Sequence, residues 1–105
     1  MHGNSKQNKD IQHLYEIRDK ETDDIFKYGV SAGVFGADGL SKRIRNQLTL
    51  YNLVAGWKRY RAHILVYDIQ DRITALTLED EYIEVYKQKF GRRPVGNPER
   101  KRGEF

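Results

Sequence analysis

Two segments of strand period separated by six polar residues constrain this chain more than any other feature. IQHLYEIR (residues 11–18) and IFKYGVS (residues 25–31) flank DKETDD. Short strands joined by so brief a polar turn predict an antiparallel hairpin. With the turn centred near Glu21, Tyr15 falls opposite Lys27 and His13 opposite Gly29. Opposed residues share a face about 5 Å apart, so a phenol and an ammonium would stand side by side.

The rest of the chain supplies one more strand and two helices. AGVFGADG, with three glycines in eight residues, reads as a loop. Asp38 is placed to cap a helix over residues 39–54, whose inner face carries Leu40, Ile44, Leu48 and Tyr51 at helical spacing. AGWKRY ends that helix. YRAHILVYDIQ (residues 60–70) is rich in β-branched and aromatic residues and predicts a strand. His63 alternates into it as a core histidine, and Trp57 and Tyr60 read as packing residues. A second helix starts between Asp71 and Thr74 and stops at Gly91, a natural residue to follow a helix. The order β-β-α-β-α predicts an α+β fold, a small three-stranded antiparallel sheet flanked by helices. The 105 residues suit one domain. Residues 1–10 read as a flexible lead-in, 11–98 as the domain and 99–105 as a basic tail.

The second helix contains an oddity. Ala75, Leu76, Tyr82, Ile83, Tyr86 and Phe90 lie within roughly 60° of one line on a helical wheel. The residue at its centre is Glu79. A buried carboxylate without a partner is costly, so Glu79 should neutralise or acquire a cation. Lys27, Arg43 and a divalent metal are the candidates. Asp80, Glu81 and Glu84 point away from the stripe and can be solvated. The alternative to a functional carboxylate is a salt bridge at the core edge.

Charge narrows the partners. The net charge is +4, and the positive residues come in blocks. Residues 42–61 hold six basic residues and no acid, and residues 87–102 hold seven against Glu99 alone. Such blocks suit a polyanion. They point to Arg45, Lys58, Arg59, Arg92, Arg93 and the tail cluster Arg100, Lys101 and Arg102 as nucleic-acid contacts. There is no cysteine, which excludes a disulfide scaffold and a Cys-based zinc site. No run approaches a transmembrane span, and MHGNSKQNKD has no apolar core of a signal peptide. No membrane partner is expected, and the chain should be a monomer or weak dimer.

The same segments, in the same order, resemble the GIY-YIG (URI) nuclease superfamily over roughly residues 12–97. HLY (residues 13–15) stands where that family has GIY, and KYG (residues 27–29) where it has YIG. LSKR looks like its LxxR motif, which places the arginine at Arg43, with Arg45 as the alternative. ALTLEDEYI looks like the helix that carries its metal-binding glutamate, here Glu79. GRRPVGN looks like its ending, which often contains an asparagine, here Asn97. The chain departs from the pattern at His13, Leu14, Lys27 and Val30. An inactive, nucleic-acid-binding domain therefore stays open as an alternative, as does a housekeeping repair or restriction nuclease.

The resemblance implies a metal-dependent endonuclease, acting on DNA rather than RNA and with low sequence specificity. It implies that Glu79 holds Mg²⁺ or Mn²⁺ and that Arg43 binds the phosphate. It implies that Tyr15 orients or deprotonates the attacking water and that His13 assists. Lys27 would lower the Tyr15 pKa or act as the base itself. Asn97 would hydrogen-bond near the site as a nucleic-acid contact, or simply hold a turn. KYGVS and GRRPVGN look most like the superfamily's bacterial toxin branch. That branch implies delivery as part of a larger secreted protein, action in the target-cell cytoplasm and a cognate immunity protein. The housekeeping alternative implies a cytoplasmic enzyme.

Overall fold

A computed structural model describes residues 11–99. The elements are β1 (Gln12–Asp19), β2 (Asp24–Ala32), α1 (Lys42–Ala55), β3 (Tyr60–Ile69) and α2 (Arg72–Phe90). The three strands form one antiparallel sheet in the order β2-β1-β3. The architecture is the α+β one expected, a three-stranded sheet with two helices. The lead-in and the cluster Arg100, Lys101 and Arg102 lie outside the described residues.

The hairpin differs from expectation in register. Tyr15 pairs with Gly29, His13 with Ser31 and Ile17 with Lys27. Two one-residue effects add to produce the shift. The turn places Asp19 opposite Asp24, with Asp23 in the left-handed region at φ 58°. A bulge then lets Arg18 pair with Ile25 while Ile17 pairs with Lys27, which leaves Phe26 as the extra residue. Because the total shift is two residues, each side chain keeps its face. Tyr15 and Lys27 remain on one side of the sheet, diagonal rather than opposed.

Alternate residues of β1 feed two cores. Tyr15 and Ile17 pack with Ile44 of α1, joined by Phe26, Leu48, Tyr51 and Tyr60. Leu14, Val30 and Ile69 pack with Ala75 of α2, and Tyr28 with Ile83 and Tyr86. The helices thus cover opposite faces, and β1 is buried almost throughout. This leaves β2 at one edge of the sheet.

Helix α1 starts three residues later than expected. Ser41, not Asp38, is its N-cap residue, and the Ser41 hydroxyl is hydrogen-bonded to that of Ser31 at 2.8 Å. Asp38 accepts from the Leu40 amide at 3.1 Å and pairs with Arg45 at 2.8 Å. Its carboxylate organises the loop before the helix instead. Gly56 closes α1 and Gly91 closes α2, both in the left-handed conformation. Asp71 caps α2 by accepting from the Thr74 amide at 2.7 Å. His63 and Trp57 differ from expectation as well. The His63 side chain is half exposed and lies 3.6 Å from Glu16, and Trp57 is 48% exposed. Tyr60 packs against Phe26 and Tyr51, as expected.

Candidate active site

An open cleft of about 670 Å³ lies at the β2 edge. Every described element except β3 contributes to it: Tyr15 from β1, Lys27 and Gly29 from β2, Arg43 from α1, and Arg72, Leu76, Glu79, Asp80 and Ile83 from α2. The segment that follows α2 forms the remaining wall.

That segment is held to β2 by hydrogen bonds a strand would make. After Gly91 the chain turns back, and Pro94 is fully buried. The Gly96 amide donates to the Phe26 carbonyl at 2.7 Å. Asn97 uses both ends of its side-chain amide on Tyr28: Oδ1 accepts from the Tyr28 N–H at 2.7 Å, and Nδ2 donates to the Tyr28 carbonyl at 2.9 Å. A side chain thereby completes the pairing of an edge strand, which would otherwise present unpaired backbone groups. Gly96 permits the approach, since a Cβ there would sit 2.8 Å from Lys27 Cβ and from the Phe26 ring. The Arg93 guanidinium locks the turn by donating to the Asn97 carbonyl at 2.7 Å.

Tyr15 is almost wholly buried, at 1% exposure, and its hydroxyl donates to Gln47 Oε1 of α1 at 2.8 Å. Its ring passes over Gly29. Any Cβ at that position would collide with Cζ and the hydroxyl of Tyr15. The glycine of the KYG segment is therefore the space through which the phenol reaches the cleft.

Burial shifts the protonation of Tyr15 and Lys27 in opposite directions. It pushes the Tyr15 phenol above its ordinary value, and the Arg43 guanidinium and the Gln47 hydrogen bond offset this only in part. The expected lowering of the phenol by Lys27 does not occur. Burial pushes the Lys27 ammonium down, Arg43 adds to the effect, and Glu79 opposes it. The site thus holds a phenol that keeps its proton beside an amine that gives one up more readily than usual.

Glu79 is half-buried and lines the cleft, so the carboxylate in the apolar stripe faces an opening rather than a core. Leu76 and Phe90 of the same stripe are 38% and 49% exposed. Asp80, expected to point away, also lines the cleft. Among the described residues no three His, Cys, Asp or Glu side chains cluster to cage a metal. The donor set fits a hard cation that takes one or two carboxylates and completes its shell with water and phosphate oxygens, as Mg²⁺ does.

The family model described as URI fold toxin 2 matches residues 5–91. The chain belongs to that family. No curated protein and no solved structure matches it.

In this URI fold toxin the cleft gathers six of the residues singled out from sequence: Tyr15, Lys27, Arg43, Glu79, Arg93 and Asn97. His13 is not among them. It is 2% exposed beneath Phe35, with ring centroids 4.6 Å apart, and its Nε2 has no hydrogen-bond partner among the described residues. Three of the expected nucleic-acid cations are engaged elsewhere. Arg45 binds Asp38, Arg59 binds Asp19 and Glu21, and Arg92 binds Asp24. Lys58 is exposed but does not line the cleft. Glu99, assigned to the tail, does line it.

Arg72, Asp80, Gln47 and Gly96 were missed. For Arg72 a signal existed. Seven residues before Glu79, it lies only about 20° from it on a helical wheel. Among the described residues, no helix is long and apolar enough to cross a membrane.

Proposed function

We propose that this URI fold toxin is a metal-dependent nuclease of GIY-YIG type, hydrolysing phosphodiester bonds of DNA with low sequence specificity. The observation that carries the reading is the convergence of Tyr15, Lys27, Arg43 and Glu79, from four separate elements, on one open cleft. The toxin family favours a domain of a secreted effector, acting in a target-cell cytoplasm and restrained by a cognate immunity protein, over a housekeeping enzyme.

The roles proposed for Arg43 and Glu79 rest on the superfamily resemblance, and those for Tyr15 and Lys27 are supported by their burial. Lys27, with its ammonium destabilised by burial, accepts the proton of the attacking water. Tyr15 keeps its own proton, and its hydroxyl orients that water. Arg43 donates to the phosphate as negative charge builds. Glu79 would hold Mg²⁺ or Mn²⁺, which when bound supplies Lewis acidity to the phosphoryl oxygens. His13 is left out of this set, since it lies under Phe35. Asn97 builds the cleft wall through Tyr28.

The test is incubation with supercoiled plasmid and with single-stranded RNA, in Mg²⁺, Mn²⁺ or EDTA, beside Glu79→Ala. Metal-dependent loss of the plasmid that the variant does not show is the expected result. Loss of the RNA alone would keep the nuclease and overturn the DNA assignment. Both polymers intact under every condition, with salt-sensitive binding retained, would identify a binding domain without chemistry.

A further inference from the structure

Arg72 differs from three of the cations that the charge blocks point to. Arg45, Arg59 and Arg92 each hold an aspartate at 2.8 Å. Arg72 is exposed, lines the cleft, and makes no ion pair among the described residues. It opens α2, and on the same helix ridge stand Leu76, Glu79 and Ile83, all in the cleft wall.

The spacing along this ridge is informative. At about 1.5 Å of rise per residue, Arg72 and Glu79 are separated by roughly 10 Å along the helix axis. Successive phosphates of one DNA strand are about 6–7 Å apart, more than the ~3.4 Å axial rise, because the backbone winds around the duplex axis. A strand lying along α2 with its scissile phosphate over Glu79 would therefore bring a phosphate to Arg72 about one to two nucleotides away. Leu76 lies between them, 38% exposed and uncharged. It offers an apolar surface to the intervening sugars and no competing phosphate contact.

We propose that Arg72 is a positioning residue that grips the substrate backbone about one to two nucleotides to one side of the bond being cut. This gives the cleft a polarity, with an anchored side and an open side, and it rests on the nuclease reading above. The contact is to phosphate, so it adds affinity and register without base preference.

Two measurements test it. The first is binding of a labelled oligonucleotide across a salt series in a Glu79→Ala background, where nothing is cut. Adding Arg72→Ala should weaken binding roughly 5- to 10-fold at low salt and flatten the log–log salt dependence by about one. Arg72→Lys should restore the slope, because a phosphate contact needs only the charge. The second is the cleavage pattern of a short end-labelled homopolymer by otherwise wild-type protein. The bonds within about two nucleotides of one end should be cut slowly, and Arg72→Ala should remove that asymmetry. If Arg72→Ala leaves the slope and the cleavage pattern unchanged while the wild type cuts normally, the anchor is wrong and the nuclease stands. If the wild type cuts no polymer in any metal, the nuclease reading fails, and the anchor with it.

Discussion

The Tyr15 phenol and the Gly29 backbone occupy space that one added methyl group would take from them. Gly29→Ala drives a Cβ into Cζ and the hydroxyl of Tyr15. The ring must rotate or the strand must shift, at about 1–3 kcal/mol for an overpacked site. The expected outcome is a lower midpoint in urea, together with loss of the proposed cleavage. Tyr15→Phe is the milder probe. It keeps the packing and deletes the bond to Gln47, at about 1 kcal/mol. Lys27 gives a pH prediction. Burial holds its folded-state pKa below the ordinary lysine value. Between those two values the unfolded chain binds more protons than the native one, so the contribution of Lys27 to stability rises with pH. Below the folded-state value the charged ammonium is buried at full cost. Lys27→Met should therefore be more stable than wild type near neutrality, with the gap shrinking towards pH 10.5, the ordinary lysine value. Thermal melts across that range check the sign. A gap that stays constant with pH would mean that Lys27 is not desolvated. If Lys27 is the base, the cleavage rate of the wild type should also climb with pH towards a plateau below the ordinary lysine pKa.

At the scale of elements, β2 is an edge strand whose outer side is completed by a side chain. Asn97 satisfies both backbone groups of Tyr28, a residue only 9% exposed. Asn97→Ala leaves that N–H and C=O without partners and should cost about 1–3 kcal/mol in chemical denaturation. It should also loosen the wall that carries Arg93 and Glu99. Asn97→Asp keeps an acceptor for the N–H but sets a carboxylate against the Tyr28 carbonyl, so it should not rescue. The bulge at Phe26 matters at the same scale. It turns Phe26 into the cluster beneath α1 and leaves Lys27 opposite Ile17 on the same face, within the cleft. Helix α2 shows the other way an element can serve a site. Ala75, Ile83 and Tyr86 bury one side of it, while Leu76, Glu79 and Asp80 are set into an opening beside that buried line.

Across the whole molecule, the hairpin turn is clamped from two directions. Asp19 takes a bidentate contact from Arg59, which follows α1, at 2.9 and 2.8 Å. Asp24 accepts from the Tyr86 hydroxyl and from Arg92, each at 2.8 Å. The Arg59 contact is the main cause holding Asp19 below the usual carboxylate range. Burial pushes Asp24 up, but Arg92 and Tyr86 outweigh it, so Asp24 is lowered as well. Both depressed values give the same sign. The stabilisation is present above the ordinary aspartate pKa and is lost as pH falls through the folded-state values. Acid melts should therefore show a declining midpoint below about pH 4, and Asp19→Asn with Asp24→Asn should flatten that decline while lowering the midpoint at pH 7. Local patterns account for what was legible beforehand. Strand alternation, helix wheels and the stop glycines are short-range signals, and they placed all five elements within a few residues and set Tyr15, Lys27 and Glu79 on their proper faces. The face of each hairpin residue survived a two-residue error in register because side-chain direction repeats every second residue. Tertiary closure decided the rest. Whether a cation is available to a ligand depends on partners 40 and 68 residues away, as for Arg59 with Asp19 and Arg92 with Asp24. The wall made by Asn97 depends on a contact across 69 residues. The sequence by itself determined the elements, their order and the carboxylate that breaks an apolar stripe. Only the folded chain decided that this stripe borders a cleft and which arginines are left to face it, because ion pairs and edge pairing form between segments that no local period connects.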